Sequence, residues 1–233
     1  MTRDKSKSAA DFLTALNADP AYVKKRGAQE DARVLREAEI SLITQPPLQE
    51  LGAAGYSVAS LDELLTGYAP LPPAIVTLLL ESLSEVADTA VQEQMVRALG
   101  ASANAFDGTS LIAIFQNTHS PGLQYAIANT MAQADVRGVA HWILDAVQNP
   151  AHRTARQMLV LAAARRNSAT LANPVLLGLL DDLPRHVALA LAESGQRREL
   201  EALERKYPTT TGWEKQQIGR AISAVNRRLS EMK

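Results

Sequence analysis

Apolar residues recur along this chain at helical spacing, and the residues that interrupt them are those that start and stop helices. Ser8-Ala9-Ala10-Asp11 has the spacing of a capping box and opens a short apolar-faced segment through Leu16. Asp19 is placed to cap a second helix that has Pro20 at its first position. The charged run from Tyr22 to Leu42 should end before Pro46-Pro47, with Gly27 as its weak point. Two short helical pieces follow, Leu48 to Ala53 ended by Gly55, and one opened by Ser60-Leu61-Asp62-Glu63 and closed by Gly67. No stretch alternates with period two for long enough to predict a strand.

From Leu71 the pattern repeats. First helices begin near Ala74, Gly108, Val139, Pro174 and Glu199, and second helices carry the apolar runs that begin at Met95, Ala126, Met158, His186 and Gln217. Successive second helices stand roughly 30 residues apart, a period typical of helical-repeat architectures. Punctuation repeats with them. Ser120-Pro121, Asn149-Pro150 and Asn173-Pro174 read as a cap followed by proline, Leu183-Pro184 has the proline without the cap, and Gly100 and Gly195 fit helix C-termini.

Two helices of roughly three turns cannot bury both of their apolar faces alone, and stacking neighbouring pairs completes the burial. The pattern therefore predicts an all-α fold, an α-solenoid of about five helix pairs. A helical cap over residues 8–70 would cover its first end, and residues 1–7 would form a disordered N-terminus. The pairs are expected at about 71–105, 106–138, 139–169, 170–198 and 199–229, within a domain running to residue 233. Small residues in the second helices, among them Ala126, Ala128, Ala162, Ala163, Ala188, Ala190 and Ala221, suit close stacking of the layers.

The repeat unit resembles the HEAT-repeat family, especially its short bacterial form: an apolar helix, a turn with Asp and Pro, then a helix with a Val-Arg pair and an Ala-Leu-Gly ending. Asp88, Val91, Ala98-Leu99-Gly100, Pro150 and Arg153 match it, while Gln92 and Gln124 stand where the pattern places Arg. The resemblance covers residues 71–229. It implies scaffolds, adaptors, inhibitors and occasional enzymes, so function has to come from sites rather than from fold.

Composition narrows the chemistry. Ala (39) and Leu (31) lead the composition, both favourable in helices. There is no cysteine, which removes disulfides, thiolate metal sites and a Cys nucleophile. The N-terminus has no apolar signal core and no run approaches a membrane span, so a cytoplasmic protein is expected. His119, His141, His152 and His186 form no pair at helical spacing, so no metal site and no cofactor are expected, and neither a phosphate loop nor a Gly-x-Ser-x-Gly elbow occurs. Asp181-Asp182 and Glu81 with Glu85 read as solvated surface.

Some HEAT-like solenoids are DNA glycosylases that use aromatics and a carboxylate in a concave groove, which makes Trp142, Asp145 and Trp213 the constellation with an enzyme analogue. Against that alternative, the chain has net charge −1, and Trp142 falls at core-facing spacing among Val139, Ile143 and Val147. A DNA-binding, non-catalytic solenoid is the other alternative, and nucleic acid is an unexpected partner on the same charge argument.

Charge is unevenly spread, with 10 basic and 16 acidic residues in 1–138 against 14 and 9 in 139–233. The leading expectation is a non-enzymatic protein-interaction module that uses the second-helix row, with Arg97, Gln124, Arg153, Arg156 and Arg185 meeting a partner that carries an acidic patch. Gln92 and Asn129 would add specificity. Arg165-Arg166 and Arg197-Arg198 could equally serve helix C-termini, where the backbone dipole favours cations.

Overall fold

The helix signals in the sequence are met in the structure by side chains that cap them. A computed structural model describes residues 8–231, which form thirteen α-helices and two strands of two residues each, so the chain is all-helical. The expectation for residues 1–7 lies outside the described residues. So does the capping role of Asp11, whose side chain is not described. The chain divides into two compact units at Gln45/Pro46.

The first unit holds α1 (Ala9–Ala18) and the start of α2 (Pro20–Ala53). Asp19 accepts the Ala21 N–H at 2.9 Å, the cap expected before Pro20, and Arg26 donates to the Asn17 side chain at 2.9 Å. The predicted stop at Pro46-Pro47 is corrected, because α2 runs through both prolines to Ala53. Pro46 and Pro47 remove only two N–H donors, those that would meet the carbonyls of Leu42 and Ile43, and the helix continues past the loss. The helix ends where Gly55 takes φ +91°, with the Gly55 N–H on the Gly52 carbonyl and the Tyr56 N–H on the Leu51 carbonyl.

In the second unit, the end of α2 is tied to the first helix pair by the Ser82 hydroxyl on Glu50 (3.1 Å), and α3 (Glu63–Gly67) follows Gly55. Five pairs come next: α4 (Pro73–Glu85) with α5 (Thr89–Leu99), α6 (Thr109–Asn117) with α7 (Pro121–Gln133), α8 (Ala140–Ala146) with α9 (Ala155–Arg166), α10 (Ala169–Gly178) with α11 (Pro184–Ser194), and α12 (Arg197–Lys206) with α13 (Gly212–Glu231). The second helices pack on one another in order: α5 on α7, α7 on α9, α9 on α11 and α11 on α13. Asp88 caps α5 by accepting the N–H groups of Ala90 and Val91, and Ser120 caps α7 by accepting that of Leu123.

Asn173-Pro174 does not start a helix. The tenth helix begins after Ser168 and buries Asn173, whose amide donates to the Ser194 carbonyl (3.1 Å) and accepts the Ser194 hydroxyl (2.8 Å). Asn149-Pro150 opens only a single 3₁₀ turn, and α9 starts at Ala155.

Loops between pairs are joined along the same direction. Leu71 donates its N–H to the Ala101 carbonyl. Strand β1 (Phe106–Asp107) lies parallel to β2 (Val136–Arg137), the Gly108 N–H bonds the Arg137 carbonyl, and the Asn167 amide reaches the Ala140 carbonyl. These short strands differ from the strand-free expectation, being far shorter than any alternation that a sequence pattern can reveal. Gly108 is required at this junction, since a Cβ there would lie 2.3 Å from Val136 Cγ1 and 2.5 Å from Val139 Cγ1. Gly108→Ala is expected to lower unfolding free energy by about 1–3 kcal/mol, the usual cost of overfilling a packed site. Urea denaturation of the variant against the parent checks it.

Candidate interaction face

The packing of the second helices decides which of their side chains reach solvent. Ala98, Ala126, Ala128, Ala132, Ala162, Ala163, Ala188, Ala190 and Ala221 are all buried, beside larger buried side chains such as Met95, Ile127, Leu159 and Leu191, so neighbouring second helices pack closely. Neighbours across the row are visible in pairs: the Glu93 carboxylate lies against Gly122, the Arg165 guanidinium forks onto Glu193 (2.9 and 2.6 Å), and that of Arg185 sits 5.6 Å from the Trp213 ring. Trp213 is 58% exposed. It is the largest aromatic surface on this face, at the start of α13, and no sequence signal pairs it with Arg185.

The five residues expected to form a binding row separate into two groups. Arg97, Arg153 and Arg185 are exposed. The Arg97 side chain is held by two bonds to Glu93 Oε1, at 3.1 and 2.6 Å. Arg153 follows the 3₁₀ turn at φ +43°, a conformation that strains a residue with a Cβ. Gln124 and Arg156 instead turn inward, which corrects their place in the row. Gln124 Nε2 donates to the carbonyls of Phe115 and Thr118 at 3.3 Å each. Arg156, only 8% exposed, donates Nε–H to the Val147 carbonyl (2.9 Å) and reaches Asp182 at 3.5 Å.

Gln92 completes that inward set, donating to Leu83 and Val86. In all three, a second-helix side chain satisfies a carbonyl at the end of the preceding first helix, where helix termini lack partners. Gln92, Gln124 and Arg156 occupy equivalent positions in three successive pairs. That regularity is visible in the chain, but it does not say whether a long polar side chain turns inward or outward.

Arg165, Arg166 and Arg228 serve helix ends that belong to neighbouring layers, which periodicity cannot show, whereas Arg197 and Arg198 open α12 instead of closing a helix, and Arg197 pairs with Glu201 at 3.3 Å. Arg165 of α9 donates to the Ala132 carbonyl at the end of α7, and Arg166 meets Asp135 beyond it. Arg228 of α13 collects the carbonyls of Ala192, Glu193 and Gly195 at the end of α11. Thr130 does the same for α5 through the Val96 carbonyl at 2.7 Å. Each donor ties one layer to the next while meeting the negative end of a helix dipole.

Trp142 packs edge-on against Phe115 at 5.0 Å, and the His152 ring meets the same phenyl at 4.9 Å. Burial, and then the nearby Arg156 charge, hold the His152 imidazole below its usual range. Burial and Arg185 do the same for His186. No cluster of three potential metal ligands occurs among the described residues, and no helix there is long and apolar enough to cross a membrane. A shallow hollow of about 390 Å³ between the first two pairs is lined by Ser84, Thr89, Gln92, Ser110, Asn117 and apolar neighbours, without carboxylate or imidazole. Comparison with family models, with curated proteins and with solved structures returns no match.

Arg156→Ala removes the donor from a buried carbonyl and is expected to cost about 1–3 kcal/mol. Arg153→Gly relieves the positive φ and is expected to raise stability by about 1 kcal/mol; thermal melts of both variants check the two opposite signs. For the histidines, a lowered value in the folded state means that protons favour the unfolded chain. Their contribution is therefore complete above pH 6.5 and declines as pH falls through that value. Urea midpoints between pH 7.5 and 5 should fall less in His186→Gln than in the parent.

Proposed function

We propose that residues 71–233 form an α-solenoid of the HEAT type, and that the chain is a non-enzymatic interaction module working in the cytoplasm. The observation that carries this reading is the ordered packing of α5, α7, α9, α11 and α13. Their outward side chains are fixed from the neighbouring layer, as Arg165 is by Glu193 and Arg185 by Trp213. A face so pre-organised loses little side-chain entropy on association. Arg97, Arg153 and Arg185 supply its cations, and Trp213 supplies an aromatic anchor of the kind that dominates binding energy. The partner is a protein with an acidic patch, bound as by a scaffold, adaptor or cognate inhibitor. The DNA glycosylase reading is the weaker one, because Trp142 is engaged with Phe115.

Capture from native lysate with the parent, repeated with Arg153→Glu/Arg185→Glu and with Trp213→Ala, tests the proposal. All three chains should melt alike, since exposed substitutions cost under about 0.5 kcal/mol. A protein retained by the parent and lost from both variants is expected, with association slowed by salt. Capture unaffected by either change overturns the assignment of this face. Tight duplex DNA binding, or base release that depends on Asp145, overturns it in favour of the glycosylase reading.

A further inference from the structure

The first unit buries nothing apolar along the greater part of its length, since no described residue before Thr44 is buried. Val23, Val34, Leu35 and Leu42 stand exposed on α2, the last two at 67% and 66%. Leu35 and Leu42 are one heptad apart, and the same stripe continues N-terminally at Ala28 and Ala21. Gly27 lies beside it with open space where a Cβ would be, although glycine inside an exposed helix costs about 1 kcal/mol against alanine. Charge is segregated along the same face. Lys24 and Lys25 lie at its start with no carboxylate partner among the described residues, and Glu39 stands exposed near its end, paired within the helix to Arg36 at 3.2 Å.

We propose that residues 20–45 are a self-association helix that pairs antiparallel with the same segment of a second copy, in the register where facing residue numbers add to about 63. In that register Leu35 meets Ala28, Leu42 meets Ala21 and Val34 comes level with Gly27, each large side chain opposite a small one. Lys24 and Lys25 reach Glu39 of the other copy along the flank, and the two-fold symmetry repeats every contact. A parallel pair would set Lys24 against Lys24 and Glu39 against Glu39, like charges that oppose association, whereas in the antiparallel register Asp31 alone approaches its own copy, beside the two-fold axis. The helix thus carries its own complement in shape and in charge, which favours a second copy over a foreign partner. None of these contacts involves the second-helix face.

Sedimentation equilibrium of the full chain should show a dimer. Glu39→Lys, or Lys24→Glu with Lys25→Glu, should weaken it by about tenfold as attractions become repulsions, and mixing the two variants should restore it. The absence of cysteine gives a second readout. Ala28→Cys and Leu35→Cys chains should form a disulfide-linked dimer on oxidation when mixed, and not when either is alone. A monomeric parent, a dimer indifferent to both charge reversals, or cross-linking of Leu35→Cys to itself would each overturn the proposal.

Discussion

Close approach of the second helices is the constraint on which the rest of the larger unit depends. Alanine at the contact positions lets backbones pack tightly, and tight packing takes water away from helix ends that carry unpaired carbonyls. Those carbonyls must then be met from within the protein. Gln92, Gln124 and Arg156 meet them inside the first three pairs, and Thr130, Arg165 and Arg228 meet them between layers. One steric choice, small residues at the seam, therefore dictates where the long polar side chains of the chain are used.

That demand divides the arginines. A guanidinium aimed at a buried carbonyl is structural, whatever its position in the repeat, and a guanidinium held at the rim by a carboxylate or an aromatic ring remains open to a partner. Arg156 and Arg97 illustrate the division, the first buried on the Val147 carbonyl and the second held at the surface by Glu93. The same division limits chemistry: Trp142 and His152 are spent on Phe115, while the Arg185 guanidinium and the exposed Trp213 ring lie together on the second-helix face.

The smaller unit follows other physics. Its helix is supported by local caps and by ion pairs such as Arg33 with Glu30 and Glu37, with its large apolar side chains in solvent. Such pairs add only tenths of a kcal/mol each to an isolated helix, whereas burying exposed Leu and Val against a partner adds more.

Periodicity and punctuation alone determined that the chain is helical, that its elements come in pairs at a regular interval, and that Asp19 and Ser120 cap them, because each of these signals acts within a few positions of the backbone it controls. The need for Gly108 and the two short strands were not legible, since they depend on loops brought together from successive pairs. Nor was the direction of Gln124 or Arg156, because a long polar side chain on a helix has the same spacing whether it faces solvent or a neighbouring carbonyl. Only the stacking of one layer on the next places an unpaired acceptor within reach, and that acceptor decides which cations build the protein and which remain on its surface.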